Sequence, residues 1–301
     1  MENKTISVGS ILKIFQEELK NDYDEKEIRK FLYMLFDEWK GWNRANILLN
    51  HEELFSGEEV TRFYLALEDL KRHKPIQYII GMAYFHEMKL VVTPDVLIPR
   101  PETEELVDII VKENADNKHE EFSVLDIGTG SGCIAISIKK NFPDALVSAI
   151  DNSLNALQLA RKNAEWNGCD IRFFHHDIFQ KAEQFVFPEY DIIISNPPYI
   201  SESEKKEMHK NVLDYEPYDA LFVPDNDPLI YYRAIADFAL VHLSRSGLLY
   251  LEINERFGPE IKTLLLIKEF DKVELIKDIN GKDRFIRAEL NSPLIPSVSL
   301  H

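Results

Sequence analysis

Cysteine is scarce in this chain of 301 residues, which contains only Cys133 and Cys169. Neither has a neighbour at the spacing of a zinc site or a redox motif, so the sequence predicts no metal site and two reduced thiols. Long apolar runs are also missing, since none approaches the roughly 18 residues that a membrane-spanning helix needs. Residues 1–4 do not begin a basic segment that leads into an apolar one, as a signal peptide would. These absences favour a cytoplasmic protein that makes no membrane contact.

Basic charge is the second property that the sequence has little of. Lys and Arg number 35 against 52 Asp and Glu, which gives a formal net charge of −17, and most of the acidic excess lies after residue 90. Proteins that bind nucleic acid normally show a basic footprint, and no long basic run is present here. The composition therefore favours a protein or a cationic partner, and no direct contact with nucleic acid is expected.

The pattern of apolar residues divides the chain into three parts. Residues 1–75 read as a small helical bundle, in which Asp24 predicts a helix N-cap and Ser56 begins a capping-box pattern. Residues 76–93 read as a hairpin or linker with two short strands. Residues 94–301 form the larger domain. The helical bundle has no chemical motif of its own, so its expected role is substrate recognition or packing.

Short apolar runs alternate with helical patterns through the larger domain, which predicts a parallel sheet covered by helices on both faces. The expected strands are residues 122–127, 146–150, 171–174, 190–195 and 248–253. The expected helices are residues 102–114, 131–141, 153–167 and 228–243, and a long polar loop is expected at 201–227. Two final strands, 272–277 and 284–290, flank an Asn-Gly turn and are therefore predicted to be antiparallel at one edge.

A glycine-rich turn follows the first strand of this domain, with the sequence Gly128-Thr129-Gly130-Ser131-Gly132. Glycines between a strand and a helix let a ligand approach the backbone closely. The G-x-G-x-G spacing is neither the dinucleotide fingerprint nor a P-loop. It favours a ligand without a phosphate to bind, of which S-adenosylmethionine is the common one, and a plain tight turn is the alternative.

Acidic residues stand at the ends of the next two strands. Asp151 lies where a ribose diol is usually held, although alone it reads equally well as a helix N-cap. Asp177 would accept from an adenine amino group while Ile178 packs on the ring, and a surface aspartate is the alternative. Ligands of open α/β sheets bind at the carboxyl ends of the strands, so such residues at successive strand ends favour a binding site.

The fourth strand ends in Asn196-Pro197-Pro198-Tyr199. Two prolines remove two backbone donors and stiffen the loop, so that its carbonyl groups stay free to accept hydrogen bonds. Asn196 adds a side-chain acceptor, and Tyr199 offers a flat face to a planar partner. The loop is therefore predicted to hold a planar NH2 group that is about to be alkylated, and its four residues are the candidate catalytic and substrate-binding residues.

With these features, the chain resembles the class I S-adenosylmethionine-dependent methyltransferases that carry an Asn-Pro-Pro-Tyr motif. More narrowly, it resembles the HemK/PrmC family, the peptide chain release factor glutamine N5-methyltransferases. The resemblance covers nearly the whole chain and includes residues 74–81, 97–104, 215–217 and 278–284. It implies a Rossmann-like, mostly parallel seven-stranded sheet with an antiparallel C-terminal edge, preceded by a small helical domain.

The resemblance also implies a role for each candidate residue toward the cofactor, S-adenosylmethionine, and its product, S-adenosylhomocysteine. The glycine turn would surround the methionine end of the cofactor, and Asp151 would bind the ribose hydroxyls. Asp177 and Ile178 would neighbour the adenine, and Asn196 would also lie against the cofactor. Arg100 and Glu102 are expected near the substrate, with a purely structural role in the connector equally open.

The implied substrate is the glutamine of the Gly-Gly-Gln motif in class 1 release factors. The Asn196 oxygen and the Pro197 carbonyl would accept the two N–H groups of the amide, and Tyr199 would pack flat on the amide plane. An amide nitrogen is a weak nucleophile because its lone pair is delocalised. The motif contains no strong base, so orientation and polarisation of the amide would supply most of the acceleration.

Three other functions stay open at this point. A nucleic-acid methyltransferase acting on adenine N6 or guanine N2 would use the same loop, but it needs a basic face for a flipped base. Ribosomal-protein glutamine methyltransferases resemble the chain too, but they commonly carry Pro-Arg-Ser-Pro where this sequence has Pro-Arg-Pro-Glu-Thr. A scaffold that only binds S-adenosylmethionine is disfavoured by the intact loop at residues 196–199. A monomer is expected.

Overall fold

A computed structural model describes residues 5–117, 121–180 and 187–290. The chain separates into two units. The smaller contains the described residues up to Met82 together with His209–Tyr215, and the larger contains Ala83–Met208 and the described residues from Glu216 onward. Within those described ranges, no helix combines the length and the apolar character that crossing a membrane requires.

The α-helices of the described chain are α1 (Val8–Leu19), α2 (Glu25–Lys40), α3 (Arg44–Leu49), α4 (Glu58–Lys71), α5 (Ile76–Ile80), α6 (Pro101–Glu113), α7 (Cys133–Asn141), α8 (Leu154–Trp166), α9 (Lys210–Leu213), α10 (Ile230–His242) and α11 (Gly258–Ile267). The strands are β1 (Ile6–Ser7), β2 (Leu54–Phe55), β3 (Met82–Phe85), β4 (Met88–Val91), β5 (Ser123–Ile127), β6 (Leu146–Asp151), β7 (Arg172–His175), β8 (Tyr190–Ser195), β9 (Ile200–Ser201), β10 (Phe222–Val223), β11 (Leu243–Glu252), β12 (Asp271–Lys277) and β13 (Asp283–Leu290).

The smaller unit is helical, as predicted, and has an aromatic core centred on Phe63. The Phe63 ring lies 4.8 Å from the ring of Phe36 and 5.1 Å from that of Trp39. Two short strands that the sequence did not reveal, β1 and β2, pair antiparallel in this unit. Residues 209–215 join it partly through Tyr215, whose hydroxyl donates to the Arg72 carbonyl at 2.9 Å.

The two predicted caps of the smaller unit have opposite outcomes. Asp24 is confirmed as the N-cap of α2, because its Oδ1 accepts from the backbone N–H of Glu27 at 2.8 Å. The capping box at Ser56 is wrong. Helix α4 begins after Gly57, which has φ +55° and is the N-cap, and no side chain caps this end. The positive φ redirects the chain between Ser56 and the helix, so the serine stands one position too early.

The larger unit contains a seven-stranded sheet in the order β12-β13-β11-β8-β5-β6-β7. The five strands from β11 to β7 are parallel to one another. Strand β13 is antiparallel to both β11 and β12, so the antiparallel edge is confirmed. Alternate residues of β5 point to opposite faces, with Val124 in one apolar core and Leu125 in the other, as burial on both faces requires.

The structure departs from the sequence prediction in three places of the larger unit. Strand β11 begins at Leu243 rather than at 248, with a register shift between Leu243 and Leu248. Helix α11 was not predicted, because its Leu-Leu-Leu-Ile run hides the amphipathic period. The predicted polar loop at 201–227 is partly ordered, since β9 and β10 pair in parallel across it.

A single buried side chain, Asn163 of α8, joins three parts of the larger unit. Its Oδ1 accepts from the Val91 N–H at 2.8 Å, and its Nδ2 donates to the Val91 carbonyl at 2.9 Å. The same Nδ2 donates to the Ser131 carbonyl at 2.9 Å. Asn163 therefore links β4 and the glycine turn to α8. It also provides hydrogen-bond partners for backbone groups of Val91 and Ser131.

Replacing Asn163 with alanine is expected to lower the free energy of unfolding by about 2–3 kcal/mol, because it leaves buried backbone groups unpaired. Urea denaturation followed by circular dichroism measures this. Asn155→Ala is the matched control on the same helix, since Asn155 is exposed and its side chain donates to Asp95 at the surface. Equal losses in the two variants would contradict the structural role given to Asn163.

Candidate active site

A cavity of about 440 Å³ opens at the carboxyl ends of the parallel strands. Most of the predicted site residues line it, namely Arg100, Gly128, Thr129, Gly130, Ser131, Asp151, Asp177, Ile178, Asn196, Pro197 and Pro198. Gly132, Tyr199 and Glu102 are not among the lining residues. The volume lies within the range of small-molecule sites, and its position at the strand ends is where open α/β sheets bind ligands.

The three glycines of the turn all have a positive φ, but the space around them differs. Gly128 and Gly130 have φ +72° and +54°, and a Cβ at either would meet no atom within 4 Å. A Cβ at Gly132 would lie 3.1 Å from the Ile136 side chain and 3.2 Å from Ala160. The first two glycines therefore keep the cavity wall open, whereas Gly132 allows the close packing of α7 on α8.

Asp126, which was not predicted from the sequence, stabilises the glycine turn through hydrogen bonds to its carboxylate. Its Oδ2 accepts from the Thr129 hydroxyl at 2.6 Å and from the Ala135 N–H at 3.3 Å. Its Oδ1 has no hydrogen-bond partner, and the residue is fully buried. Burial raises the pKa of Asp126 to about 7, although the two hydrogen bonds oppose the rise. Its signal in the sequence was an acidic residue inside an apolar strand.

Asp151 connects the end of β6 to the glycine turn. Its Oδ2 accepts from the Gly130 N–H at 2.9 Å, and its Oδ1 accepts from the Ser153 N–H at 2.8 Å. Burial raises the pKa of Asp151, and these N–H groups oppose the rise. The alternative role as a helix N-cap is wrong, because Ser153 caps α8 with its own side chain. Asp177, at the third strand end, accepts from the Phe179 N–H at 3.0 Å.

Asn196 has a fixed orientation at the cavity wall. Its Nδ2 donates to the Thr103 hydroxyl oxygen at 3.0 Å, so the side-chain oxygen is the atom left to accept from a ligand. Tyr199 is held at both ends: its hydroxyl donates to Glu252 Oε1 at 3.0 Å, and its carbonyl accepts from Asn254 Nδ2 at 3.0 Å. Burial, together with the neighbouring Glu252, keeps the pKa of Tyr199 far above its usual value.

Glu252 is the second residue that sequence reasoning missed. It ends β11, is 1% exposed, and its Oε2 accepts from the Thr103 hydroxyl at 2.7 Å. Burial raises the pKa of Glu252 to about 7, although hydrogen bonds from Thr103 and Tyr199 oppose the rise. A glutamate at the end of the apolar run 248–253 was its signal, but nothing local in the sequence connects it to the Asn-Pro-Pro-Tyr loop.

Two family models match the chain: the PrmC N-terminal domain over residues 10–81 and the Methyltransferase small domain over residues 105–214. The release factor glutamine methyltransferase of Flavobacterium psychrophilum is 46% identical over 274 residues, covering 91% of this chain and 95% of the relative. That of Bacteroides thetaiotaomicron is 43% identical, covering 93% and 99%. The chain belongs to the release factor glutamine methyltransferase family. This confirms the HemK/PrmC resemblance.

Among solved structures, a methyltransferase from Pyrococcus furiosus has a similar fold, with a TM-score of 0.50. It is 18% identical, and the match covers 78% of this chain and 98% of that one. Together with the sheet order, this likeness confirms the class I methyltransferase fold that the sequence predicted.

The connector residues Arg100 and Glu102 of this methyltransferase have different surroundings. Arg100 lines the cavity, and its guanidinium donates to Glu216 Oε1 at 2.5 Å. Glu216 is buried and also accepts from the Ile98 N–H at 3.3 Å. Burial raises the pKa of Glu216, and the Arg100 charge opposes the rise. Arg100 therefore fixes the connector and faces the cavity, whereas Glu102 is not among the cavity-lining residues and its charge raises the pKa of Glu252.

Proposed function

We propose that this methyltransferase transfers a methyl group from S-adenosylmethionine to the side-chain amide nitrogen of the glutamine in the Gly-Gly-Gln motif of class 1 release factors. The observation that carries the proposal is the fixed Asn196 amide, whose oxygen is left to accept from an NH2 group at the wall of a cavity. Relatives whose matches cover nearly the whole chain are named release factor glutamine methyltransferases.

The cavity fits S-adenosylmethionine on the side of the glycine turn. Gly128 and Gly130 leave open space where side chains would otherwise stand, and Thr129 and Ser131 complete that wall. The carboxylate of Asp151 lies at the cavity, where it would bind the ribose, and Asp177 with Ile178 would neighbour the adenine. When bound, the cofactor supplies an electrophilic methyl group on a sulfonium sulfur.

The substrate amide would be held by acceptors. We assign its two N–H groups to Asn196 Oδ1 and the Pro197 carbonyl, which orient the nitrogen and stabilise the positive charge that develops on it as the new N–C bond forms. One of these two oxygens is the first acceptor of the proton that the nitrogen then loses. Tyr199 is anchored to Glu252 and Asn254, and it is not among the residues lining the cavity. Flat packing of Tyr199 on the amide would therefore require the substrate to reach beyond the residues that line the cavity. The contacts of Tyr199 favour a different role, which is to stiffen the loop.

Recognition of the protein substrate would belong to the helical residues 1–75, joined to the catalytic domain at 94–301 through the hairpin or linker at 76–93, which contains α5 and the strands β3 and β4. The net charge of −17 supports a protein partner over nucleic acid. The Pro-Glu-Thr that follows Arg100 in the connector, where ribosomal-protein methyltransferases commonly carry Ser-Pro, separates this chain from their pattern. We place the enzyme in the cytoplasm as a monomer, with translation termination as its process.

The proposal is tested by incubating the protein with methyl-labelled S-adenosylmethionine and four separate acceptors. These are a class 1 release factor, its Gly-Gly-Gln→Gly-Gly-Asn variant, ribosomal subunits and duplex DNA. Label is expected in the wild-type release factor alone. Equal labelling of the variant would show that the glutamine is not the methylated residue. Labelling of DNA or ribosomal protein alone would show that the substrate is not a release factor.

Replacing Gly130 with alanine is expected to weaken S-adenosylmethionine binding about tenfold or more, because it places a methyl group in cavity space. Both this change and Gly168→Ala strain a positive φ, of +54° and +68°, with no atom near the new Cβ. Each should therefore lower stability by about 1 kcal/mol. Of these two glycines, Gly130 lines the cavity and Gly168 does not. Titration calorimetry measures affinity, and an equal loss of affinity in both variants would mean that strain alone is responsible.

A further inference from the structure

Behind the Asn-Pro-Pro-Tyr loop, a chain of hydrogen bonds runs from Asn196 through Thr103 to Glu252. Asn196 Nδ2 donates to Thr103 Oγ1 at 3.0 Å, and that hydroxyl donates to Glu252 Oε2 at 2.7 Å. Thr103 is 2% exposed and Glu252 is 1% exposed, so water does not compete for these bonds. The three residues come from α6, the loop after β8 and the end of β11.

We propose that Thr103 and Glu252 are positioning residues that hold the Asn196 amide in the single orientation able to accept from the substrate. This inference rests on the proposed function, since it concerns how that function's acceptor is set. Neither residue needs to touch the substrate amide through its own polar atoms. Their effect passes through Asn196.

The direction of the chain follows from the donor and acceptor capacity of each group. An ionised carboxylate only accepts, so the single hydroxyl proton of Thr103 must point to Glu252. The threonine oxygen then presents lone pairs to Asn196, so Asn196 must donate from its NH2 group. The amide oxygen of Asn196 is consequently directed away from Thr103. Without such a partner, an asparagine amide has two orientations of similar energy, and one of them offers a donor where an acceptor is needed.

Protonation of Glu252 would relax this constraint. A carboxylic acid can donate to Thr103, whose own hydroxyl proton is then free to turn toward Asn196 and to be donated to its side-chain oxygen instead. Burial holds the pKa of Glu252 near 7, so both forms are reached within the working range of an enzyme. The groups that face the carboxyl are Thr103 and Glu102 from α6, Cys133 from α7, Tyr199, Tyr232 from α10 and Arg284 from β13. Arg284 favours the ionised form, whereas Glu102 opposes it.

The test compares Thr103→Val with Thr103→Ser in the full-length enzyme, using a release factor as substrate. Valine keeps the shape but removes the hydroxyl, so kcat/KM is expected to fall about tenfold to a hundredfold, the cost of a lost and unreplaced hydrogen bond. Serine restores the hydroxyl and is expected to recover most of that loss. The Kd for S-adenosylmethionine, measured by calorimetry, is expected to stay within about twofold for both variants.

The pH dependence of kcat/KM in Glu252→Gln provides a second test, because a purely structural role of Glu252 would leave that dependence unchanged. Its amide oxygen can accept from Thr103 and its NH2 group can donate to Tyr199, so the direction of the chain survives without a titrating group. The wild-type kcat/KM is expected to fall as pH drops below about 7, and this acid limb is expected to disappear in the variant.

The outcomes separate the two proposals. A wild-type enzyme that does not methylate the release factor would end the proposed function. An active wild type, with Thr103→Val within twofold of it or with the acid limb intact in Glu252→Gln, would overturn the positioning role alone. A loss of thermal stability in Thr103→Val that accounts for all of its lost activity would also overturn it, and melting curves at the assay pH show this directly.

Discussion

An enzyme in which Asn196 is replaced by alanine is expected to methylate the release factor about a hundredfold to a thousandfold more slowly, as when an enzyme loses one preorganised polar contact to the reacting group. The alanine removes the acceptor for one amide N–H and lets the nitrogen turn away from the line of attack. Affinity for S-adenosylmethionine should change little, because the glycine turn, Asp151 and Asp177 are untouched. Single-turnover transfer with labelled cofactor measures the rate, and calorimetry measures the affinity.

Two results would contradict this role for Asn196. Loss of cofactor binding in step with activity would mean that the residue mainly serves the cofactor, a contact that the family resemblance also implies. Retention of most activity would mean that the backbone carbonyl of Pro197 is sufficient to orient the amide. Asn152→Ala is a useful control, because Asn152 also lines the cavity but stands at the end of β6, away from the Asn-Pro-Pro-Tyr loop.

A large effect is also expected in the pH dependence of stability, with Asp126 as its main source. Its pKa rises from 3.8 to about 7 in the folded protein, chiefly through burial. The folded state therefore binds the proton more tightly than the unfolded state does. The stability that protonated Asp126 contributes is fully present below about pH 4 and is lost as pH rises through about 7. The loss amounts to up to about 4 kcal/mol for this shift.

Asp126→Asn is expected to flatten that profile, because asparagine keeps an acceptor for Thr129 and Ala135 but cannot ionise. Urea denaturation between pH 5 and pH 8 measures the free energy of unfolding, and the gap between variant and wild type should change in the variant's favour as pH rises. Asp170→Asn, at an exposed position, serves as the control. Parallel profiles for wild type and Asp126→Asn would show that Asp126 keeps its charge at low cost.

The sequence predicted well those parts of the fold and site that depend on local patterns, within a few consecutive residues. The strands that end before Gly128, Asp151 and Asn196 are continuous apolar runs, and their spacing with helices between them dictates a parallel sheet. The residues at their carboxyl ends then meet at one edge without any knowledge of distances. For this reason most of the candidate site residues line a single cavity.

The parts that were missed depend on contacts between distant segments. Thr103 and Glu252 are 149 positions apart, and no local pattern pairs them. Tyr199 was predicted to offer a flat face to a planar partner, but no local pattern indicated that its hydroxyl bonds to Glu252 on β11. The Asn-Pro-Pro-Tyr loop seemed to lack a basic group for the same reason. A carboxylate that accepts a hydrogen bond from the loop, that of Glu252, belongs to β11, which comes later in the chain.

The place of β13 in the sheet has a consequence for how the chain is made. It is the last strand of the described chain, yet it lies between β11 and β12 rather than at an edge. A nascent chain that ends before Asp283 would leave the β11 edge, with Leu249 and Leu251, open to pairing with other chains. Ribosome-bound intermediates of this protein are therefore expected to be prone to aggregation until β13 has emerged, and stop codons that remove β13 should yield insoluble product.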